Sequence, residues 1–325
     1  MNILKALCFK SFGGPEVLEY LDVPDPQLHP TDIIVRTKAI GLNFADIYRR
    51  NGNYHIEGVP PYILGYEGAG VVESVGSQIK DINPGDRVAF TDVPFANAEL
   101  VSVPYERAIP LPSDITFKIA TTILLQGLTA QYLTQDSFFV CEGQNVVIHA
   151  SAGGVGQLLI QFSKLGGAQV IGLTSSEEKR QVALAQGADH VLLYTDDWNI
   201  QVRNLTKQSG GADVVYDSVG TTLRKSLDAT KIGGTVVFFG MAGGNPEYID
   251  PRILMKNSKT LAGGDLWNIL TSRSERIRRS NDLFELIRKG RLMISKPTLF
   301  PLVEGAEAHR LLQCRTSTGK ILLLP

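Results

Sequence analysis

A glycine-rich turn between an apolar strand and a helix-like stretch is the strongest chemical signal in the sequence. Small residues let a backbone approach phosphates closely, and a helix beginning there presents unpaired N–H groups and a positive dipole end. The turn therefore predicts a pyrophosphate site. A tight structural turn without a ligand is the alternative, because Ser151 stands where G-x-G-x-x-G begins. The predicted cofactor-binding residues of the turn are Ala152, Gly153, Gly154, Val155 and Gly156.

The end of the next strand indicates which dinucleotide is bound. NAD-binding proteins usually end this strand with Asp or Glu, which holds the ribose 2′-hydroxyl. Here Ser175 and Ser176 stand at the strand tip, and Lys179 follows within one turn. Because hydroxyls and a cation suit a 2′-phosphate, we predict NADPH, bound through Ser175 and Lys179. Alternatively, the serines only cap a helix, and Lys179 and Arg180 form a solvated face.

Around this turn, apolar strands alternate with helix-like stretches from about Asn145 onward. Such alternation predicts a doubly wound parallel sheet. The predicted strands are Val146–His149, Val170–Leu173, His190–Tyr194, Val214–Asp217 and Val236–Gly240.

The first 125 or so residues instead predict an irregular β domain, because short strands alternate with Gly and Pro. Its predicted strands include Ile33–Ala39, Gly70–Val75 and Asp86–Phe90. After about Gly264 the alternation stops, and the tail is too short for a core of its own. We therefore predict a first domain of residues 1–125, an inserted nucleotide domain of 126–264, and a return segment of 265–325. The cleft between the domains is the expected site.

Composition limits the classes of partner. The 325 residues are 43% hydrophobic and 20% charged, which is typical of a soluble globular protein with two cores. The formal charge of -1 provides no strong field toward nucleic acid or anionic membrane, so we predict a small-molecule partner. Three isolated cysteines favour a reducing compartment, and no apolar run is long enough for a membrane span. We predict a cytoplasmic protein.

Five motifs together resemble the zinc-free, zeta-crystallin-like quinone oxidoreductase branch of the medium-chain dehydrogenase/reductase superfamily. The resemblance runs over essentially the whole chain. It implies a Rossmann domain inserted in a GroES-like, mainly β catalytic domain, a homodimer, and hydride transfer from NADPH to quinones or related conjugated carbonyls. The motifs are residues 43–48 (Asn-Phe-Ala-Asp-Ile-Tyr), 65–70 (Gly-Tyr-Glu-Gly-Ala-Gly), 85–88 (Gly-Asp-Arg-Val), 126–130 (Gln-Gly-Leu-Thr-Ala) and the glycine turn.

The catalytic zinc ligands of alcohol dehydrogenases, another branch of this superfamily, have no match in the sequence. Residues 43–46 replace the stretch with the first Cys, Tyr66 replaces His and leaves Glu67 alone, and Leu125 and Gln126 stand near the third ligand. Scattered Cys and His residues offer no other recognisable zinc spacing, so we predict no metal. Without a Lewis acid, a conjugated acceptor that delocalises the new charge is the favoured substrate.

By this resemblance, Asn43, Tyr48 and Tyr54 line the nicotinamide end of the cleft as catalytic residues. We predict that Asn43 orients the nicotinamide or the carbonyl, that Tyr48 contacts ribose or substrate, and that Tyr54 donates a hydrogen bond or proton. In the alternative, the tyrosines only pack the wall of the cleft.

Four further residues are predicted to contact the cofactor by resemblance. Thr129 is placed near the nicotinamide, and Phe239 beside the cofactor. Tyr194 is placed near the adenosine ribose phosphate, where it is predicted to share with Ser175 and Lys179 the preference for NADPH over NADH. Arg315 is a partner for a cofactor phosphate. Three of them have a stated structural alternative: Thr129 as a helix residue, Tyr194 as a strand cap and Phe239 as a core residue. The role of Asp217 stays open.

Three functions remain in competition: an NADPH quinone reductase, an NADPH enoyl or alkenal reductase, and a non-catalytic NADPH-binding protein of crystallin type. A basic stretch at the start of the predicted helix Ser274–Lys289 also suggests RNA binding. A solvated helix face is the favoured interpretation, because no aromatic platform accompanies the arginines. The arginines are Arg273, Arg276, Arg278 and Arg279.

Overall fold

The computed structural model describes residues 3–195 and 197–325. The chain forms two compact units. A terminal unit combines the chain up to Leu125 with Leu270–Pro325, and a central unit comprises Gln126–Ile269. The sequence placed the second boundary at residue 264, whereas in the structure the 3-10 turn Leu266–Asn268 stays with the central unit.

Short strands separated by Gly and Pro build the first segment of the terminal unit, as the sequence predicted. Strand β1 pairs antiparallel with both β2 and β4 in one small sheet, and β3 pairs antiparallel with β5 and β7 in a larger one. The elements are β1 (Ile3–Phe9), β2 (Glu19–Pro24), β3 (Asp32–Leu42), α1 (Phe44–Arg50), β4 (Tyr62–Ile63), β5 (Glu67–Val75), β6 (Arg87–Thr91), β7 (Leu100–Pro104) and β8 (Ala108–Pro110).

The central unit contains a parallel sheet with strand order β11-β10-β9-β12-β13-β14. This is the doubly wound Rossmann order. The five predicted strands are confirmed; the sixth, β14, was missed because none of its residues is buried and it carries no continuous apolar run. The elements are α2 (Phe117–Tyr132), which leads into the unit, β9 (Asn145–Ile148), α3 (Gly154–Leu165), β10 (Gln169–Thr174), α4 (Glu177–Ala185), β11 (His190–Leu193), α5 (Trp198–Leu205), β12 (Ala212–Asp217), α6 (Leu223–Ala229), β13 (Thr230–Phe238), α7 (Pro251–Asn257) and β14 (Thr260–Gly263).

The last segment completes the larger sheet of the terminal unit. It comprises α8 (Arg273–Arg288), β15 (Thr298–Pro301), α9 (Gly305–Gln313) and β16 (Ile321–Leu324). Strand β16 lies antiparallel to β3, with Ile321 opposite Leu42. Its apolar side chains join the buried cluster around Phe9 and Ile40. The parallel sheet is thus inserted in a mainly β unit, which confirms the predicted fold class.

Two of the four arginines of the basic stretch in α8 are buried in the terminal unit. The expectation of a solvated face is wrong for Arg276 and Arg279, which are both only 5% exposed. Arg276 pairs with Asp92 at 3.5 Å, and Arg279 pairs with Glu275 at 2.6 Å. These carboxylates compensate the buried guanidinium charges within the unit.

Candidate functional site

A buried lysine, glutamate and asparagine form a hydrogen-bonded network in the terminal unit. The Lys320 ammonium donates to Asn43 Oδ1 at 2.8 Å and to Glu67 Oε2 at 2.5 Å. Asn43 Nδ2 donates to the same Glu67 oxygen at 3.0 Å, and Leu125 N donates to Glu67 Oε1 at 2.9 Å. Glu67, which lacks the preceding His of the zinc motif, is therefore neutralised by the ammonium group of Lys320.

Three elements bring this network together. Asn43 stands between β3 and α1, Glu67 begins β5, and Lys320 directly precedes β16. Gly41 leaves room for the carboxylate, since a Cβ there would lie 2.1 Å from Glu67 Oε2. Asp46 fixes the start of α1 by accepting from Asn43 N at 2.9 Å. The Asn43 amide is thus held in one orientation.

A second cluster surrounds the buried guanidinium of Arg49. This group lies 3.4 Å from the Tyr66 ring centroid and 4.9 Å from that of Tyr54, which are cation–π contacts. Arg49 Nε also donates to His55 O at 3.1 Å. Burial raises the pKa of Asp46 to about 6, with the Arg49 charge acting in the opposite direction. Tyr66, at the position of a zinc-ligating His in alcohol dehydrogenases, is part of this packing.

The two predicted catalytic tyrosines are half-buried in the same unit. Tyr48 lies on α1, with its ring 6.3 Å from that of Phe44. Tyr54 lies in the loop after α1, with its ring 4.2 Å from that of His55. The Tyr54 ring thus packs between His55 and the Arg49 guanidinium.

In the central unit, the predicted glycine turn connects β9 to α3. Gly153 is the N-cap of α3 and, as a glycine, places no side chain over the N–H groups of the first turn. Gly156 allows close packing, because a Cβ there would lie 2.4 Å from Ala150 O. A Cβ on Gly154 would lie 2.0 Å from Gln126 Oε1. Ala152 and Val155 lie in the same turn.

The tip of β10 carries the predicted hydroxyl and cation. Lys179 Nζ donates to Ser175 Oγ at 3.3 Å. Ser176 is the N-cap of α4 and accepts from Lys179 N at 3.3 Å, so the capping alternative holds for Ser176. Ser175 is exposed beside the ammonium group.

The remaining predicted cofactor residues are spread over both units. Thr129 is a half-buried residue of α2 and Phe239 follows β13, both in the central unit. Arg315 belongs to the terminal unit, is exposed, and has a φ of 56° after α9. Tyr194 follows β11, and its hydroxyl contacts His149, a residue to which the sequence analysis gave no role.

Within residues 3–195 and 197–325, no three His, Cys, Asp or Glu side chains are grouped so that they could hold a metal ion. No helix in that part of the chain is long and apolar enough to cross a membrane.

Two family models match the chain. Residues 29–141 match the alcohol dehydrogenase GroES-like domain, and residues 154–283 match the zinc-binding dehydrogenases. The first match lies mostly in the terminal unit and the second mostly in the central unit.

Similar proteins cover nearly the whole chain. Quinone oxidoreductase of Pseudomonas aeruginosa is 38% identical, over 99% of this chain and 99% of its own length. A 2-haloacrylate reductase of Burkholderia is 36% identical, over 96% of each chain. The crystal structure of Escherichia coli quinone oxidoreductase complexed with NADPH has a TM-score of 0.94 and 34% identity, covering 99% of this chain and 100% of that chain. These findings confirm the family that the motifs indicated.

Proposed function

The chain belongs to the quinone oxidoreductase family of the medium-chain dehydrogenases/reductases, and from this premise we propose that it reduces quinones with NADPH by hydride transfer without zinc. When bound, NADPH supplies the hydride. The proposal is carried by the glycine turn together with the Ser175–Lys179 pair at the tip of β10, where a hydroxyl and a cation suit a 2′-phosphate. The relative crystallised with NADPH supports the same cofactor.

The terminal unit supplies the proposed catalytic residues. Asn43 orients the nicotinamide or the substrate carbonyl. The hydrogen bonds of its side-chain amide with Lys320 and Glu67 support this role. Tyr48 contacts ribose or substrate, and Tyr54 donates a hydrogen bond or proton. Thr129, Phe239 and Arg315 complete the proposed cofactor contacts.

The substrate class is tested by NADPH oxidation with ortho-quinones, para-quinones, alkenals, enoyl thioesters and 2-haloacrylates. Quinones are expected to give the highest kcat/KM. The similarity to a 2-haloacrylate reductase favours one second candidate, reduction of a conjugated double bond on the same scaffold. Faster turnover of the alkenals or haloacrylates would establish that candidate. Binding of NADPH without turnover of any acceptor would indicate the non-catalytic, crystallin-like role.

The role of Tyr54 predicts different losses for two substrate classes. In Tyr54→Phe, enone reduction should slow about tenfold more than quinone reduction, because a reduced quinone is already a stabilised anion and water can protonate it. The comparison is made on kcat as well as kcat/KM, since a tyrosine that only packs the substrate mainly raises KM. Equal losses for both substrates would remove Tyr54 from the donor role.

Zinc removal should leave the activity unchanged. The Lys320 ammonium already compensates Glu67, the one retained carboxylate of the zinc-site motif. The rate of quinone-dependent NADPH oxidation is measured before and after dialysis against a tight chelator, and again after adding zinc, with a zinc alcohol dehydrogenase treated in parallel. A loss that zinc restores would contradict metal independence.

NADPH preference should depend on Lys179. In Lys179→Ala, NADPH should bind roughly tenfold more weakly, because one charge-assisted phosphate contact is lost at a screened site. NADH affinity should hardly change. The matched control is Arg180→Ala, which removes the next cation on α4, an exposed one paired with Glu177 at 3.4 Å. If titrations of Lys179→Ala showed equal losses of affinity for NADPH and for NADH, Lys179 would not contact the 2′-phosphate.

A homodimer in the cytoplasm completes the proposal. Strand β14 lies at the end of the parallel sheet, where an edge strand can pair with a second copy of the chain. The free cysteines Cys8, Cys141 and Cys314 suit a reducing compartment. Light scattering of the purified protein tests the dimer, and a monomer at micromolar concentration would contradict it.

A further inference from the structure

A line of hydrogen-bonded side chains lies next to the glycine turn of the central unit. Asp217 Oδ2 is 2.6 Å from Ser226 Oγ, and Ser226 Oγ is 2.9 Å from His149 Nε2. His149 Nδ1 is in turn 2.9 Å from Tyr194 Oη, which lies 3.1 Å from Ala150 N. Asp217, Ser226 and His149 are all at most 1% exposed.

The direction of each hydrogen bond follows from the acid at one end. Burial acts to raise the pKa of Asp217, whereas the charge of His149, when that ring is protonated, and the hydrogen bonds that Asp217 accepts from Ser226, Gly220 N and Val219 N act to lower it; the net direction is below its usual range. The ionised carboxylate only accepts, so Ser226 gives its single proton to Asp217. Toward His149, the Ser226 oxygen must then accept, which places the His149 proton on Nε2.

The other end of the line is fixed by the same reasoning. Burial lowers the pKa of His149, so the imidazole is neutral at neutral pH and its Nδ1 is an acceptor. The Tyr194 hydroxyl therefore donates to His149, and its oxygen accepts the Ala150 N–H. Direct contact of His149 with Asp217 is excluded as a hydrogen bond, because the atoms are 3.8 Å apart.

Ala150 is where this line meets the cofactor turn. Its φ of 46° lies in the left-handed region, which is unfavourable for a residue with a Cβ. Its carbonyl accepts from Gly153 N at 2.8 Å, and Gly153 is the N-cap of α3. The hydrogen bond from Ala150 N to the Tyr194 hydroxyl thus holds Ala150 in its strained conformation. Ala150 in turn positions the start of α3 through its hydrogen bond with Gly153.

We infer that Asp217, Ser226 and His149 are positioning residues for NADPH: they orient the Tyr194 hydroxyl, and Tyr194 holds the Ala150 turn in the conformation that receives the pyrophosphate. This inference rests on the proposed NADPH function. It differs from the predicted role of Tyr194 at the adenosine ribose phosphate, because NADPH and NADH share the pyrophosphate. Loss of the hydrogen bond between Tyr194 and Ala150 should therefore lower the affinities for NADPH and NADH equally.

Which ring nitrogen of His149 carries the proton, and hence the direction of each hydrogen bond in the line, is measured without any cofactor. The ¹⁵N chemical shifts of His149 in the wild-type protein should show a neutral ring with the proton on Nε2. In Ser226→Ala, where this N–H loses its acceptor, the proton should move toward Nδ1. The control is Ser163→Ala, which removes an equally buried serine hydroxyl in the same unit that has no hydrogen-bond partner among the described residues. A wild-type ring that is protonated on Nδ1, or on both nitrogens at neutral pH, would overturn the inference.

The effect on the turn is measured by titration with NADPH and NADH. In Tyr194→Phe, both dissociation constants should rise by the same factor, about 3- to 10-fold, as expected for one lost hydrogen bond. The amide hydrogen of Ala150 should also exchange faster. Ser226→Ala should change both dissociation constants in the same direction, whereas Ser163→Ala should change neither.

The outcomes separate this inference from the proposed function. A Tyr194→Phe variant that loses affinity for NADPH alone would show that Tyr194 reads the 2′-phosphate and would overturn the inference. Unchanged affinities and unchanged Ala150 exchange would overturn it as well. Wild-type protein that binds neither nucleotide would contradict the proposed function itself.

Discussion

Replacing Lys320 with Met is expected to destabilise the terminal unit by about 3–5 kcal/mol. The substitution keeps an unbranched apolar side chain but removes the ammonium group that contacts Glu67 Oε2 at 2.5 Å and Asn43 Oδ1 at 2.8 Å. Glu67 is fully buried and would be left with only neutral donors. Removing one partner of a buried pair leaves an uncompensated charge, which costs far more than the pair itself contributes. Urea denaturation, followed by a probe in the terminal unit, measures the loss.

Two further variants make this prediction specific. Combining Lys320→Met with Glu67→Gln should recover most of the lost stability, because no buried charge then remains. Lys38→Met, on the exposed face of β3, should change the free energy of unfolding by less than about 0.5 kcal/mol. If Lys320→Met proved as mild as Lys38→Met, or if the double variant were no better than the single one, Lys320 would not be the counter-ion of Glu67.

Gly156→Ala is expected to lower kcat/KM for NADPH by about 100-fold, since a displacement on the order of 1 Å at a positioned site has an effect of this size. The new Cβ would lie 2.4 Å from Ala150 O and 2.7 Å from Ser151 Cα. Both atoms belong to the backbone and cannot rotate away, so the turn and the start of α3 must separate. Steady-state NADPH oxidation with a saturating quinone measures the effect.

The matched control for Gly156→Ala is Gly263→Ala, in strand β14 of the same unit. A Cβ at Gly263 would meet nothing within 4 Å. This variant should keep kcat/KM for NADPH close to that of the wild type. Similar losses in both variants would indicate a general sensitivity of the sheet, and an unaffected Gly156→Ala would show that the close approach of α3 to the turn is not required.

The sequence predicted the parts of the fold that depend on local patterns. Continuous apolar runs such as Val146–Ile148 predicted the buried parallel strands, because a strand covered on both faces has no polar side to show. The glycines of the turn were identifiable because a close backbone approach excludes a Cβ. The capping role of Ser176 was one of two alternatives, and only the structure separated it from the exposed Ser175.

The sequence could not predict contacts between distant segments. Lys320 and Glu67 are 253 positions apart, and their pairing depends on how β16 returns to β3. One signal was present in the sequence. Lys320 directly precedes the apolar strand β16, and a lysine that is buried with such a strand is rarely without a charged partner. His149 gave no comparable signal, because its partners Ser226 and Tyr194 come from other elements of the central unit. Asp217, whose role stayed open from sequence, is the acceptor at the end of that line.

The most direct test of the proposed function is a single-turnover experiment with metal-free protein. Protein, NADPH and a para-quinone are mixed without oxygen, and the loss of NADPH absorbance is followed together with the amount of hydroquinone formed. The account predicts that NADPH is consumed only when quinone is present, with one hydroquinone formed per NADPH and no effect of added zinc. Metal-free protein that binds NADPH but does not oxidise it with any quinone, or that does so only after zinc is added, would contradict the account.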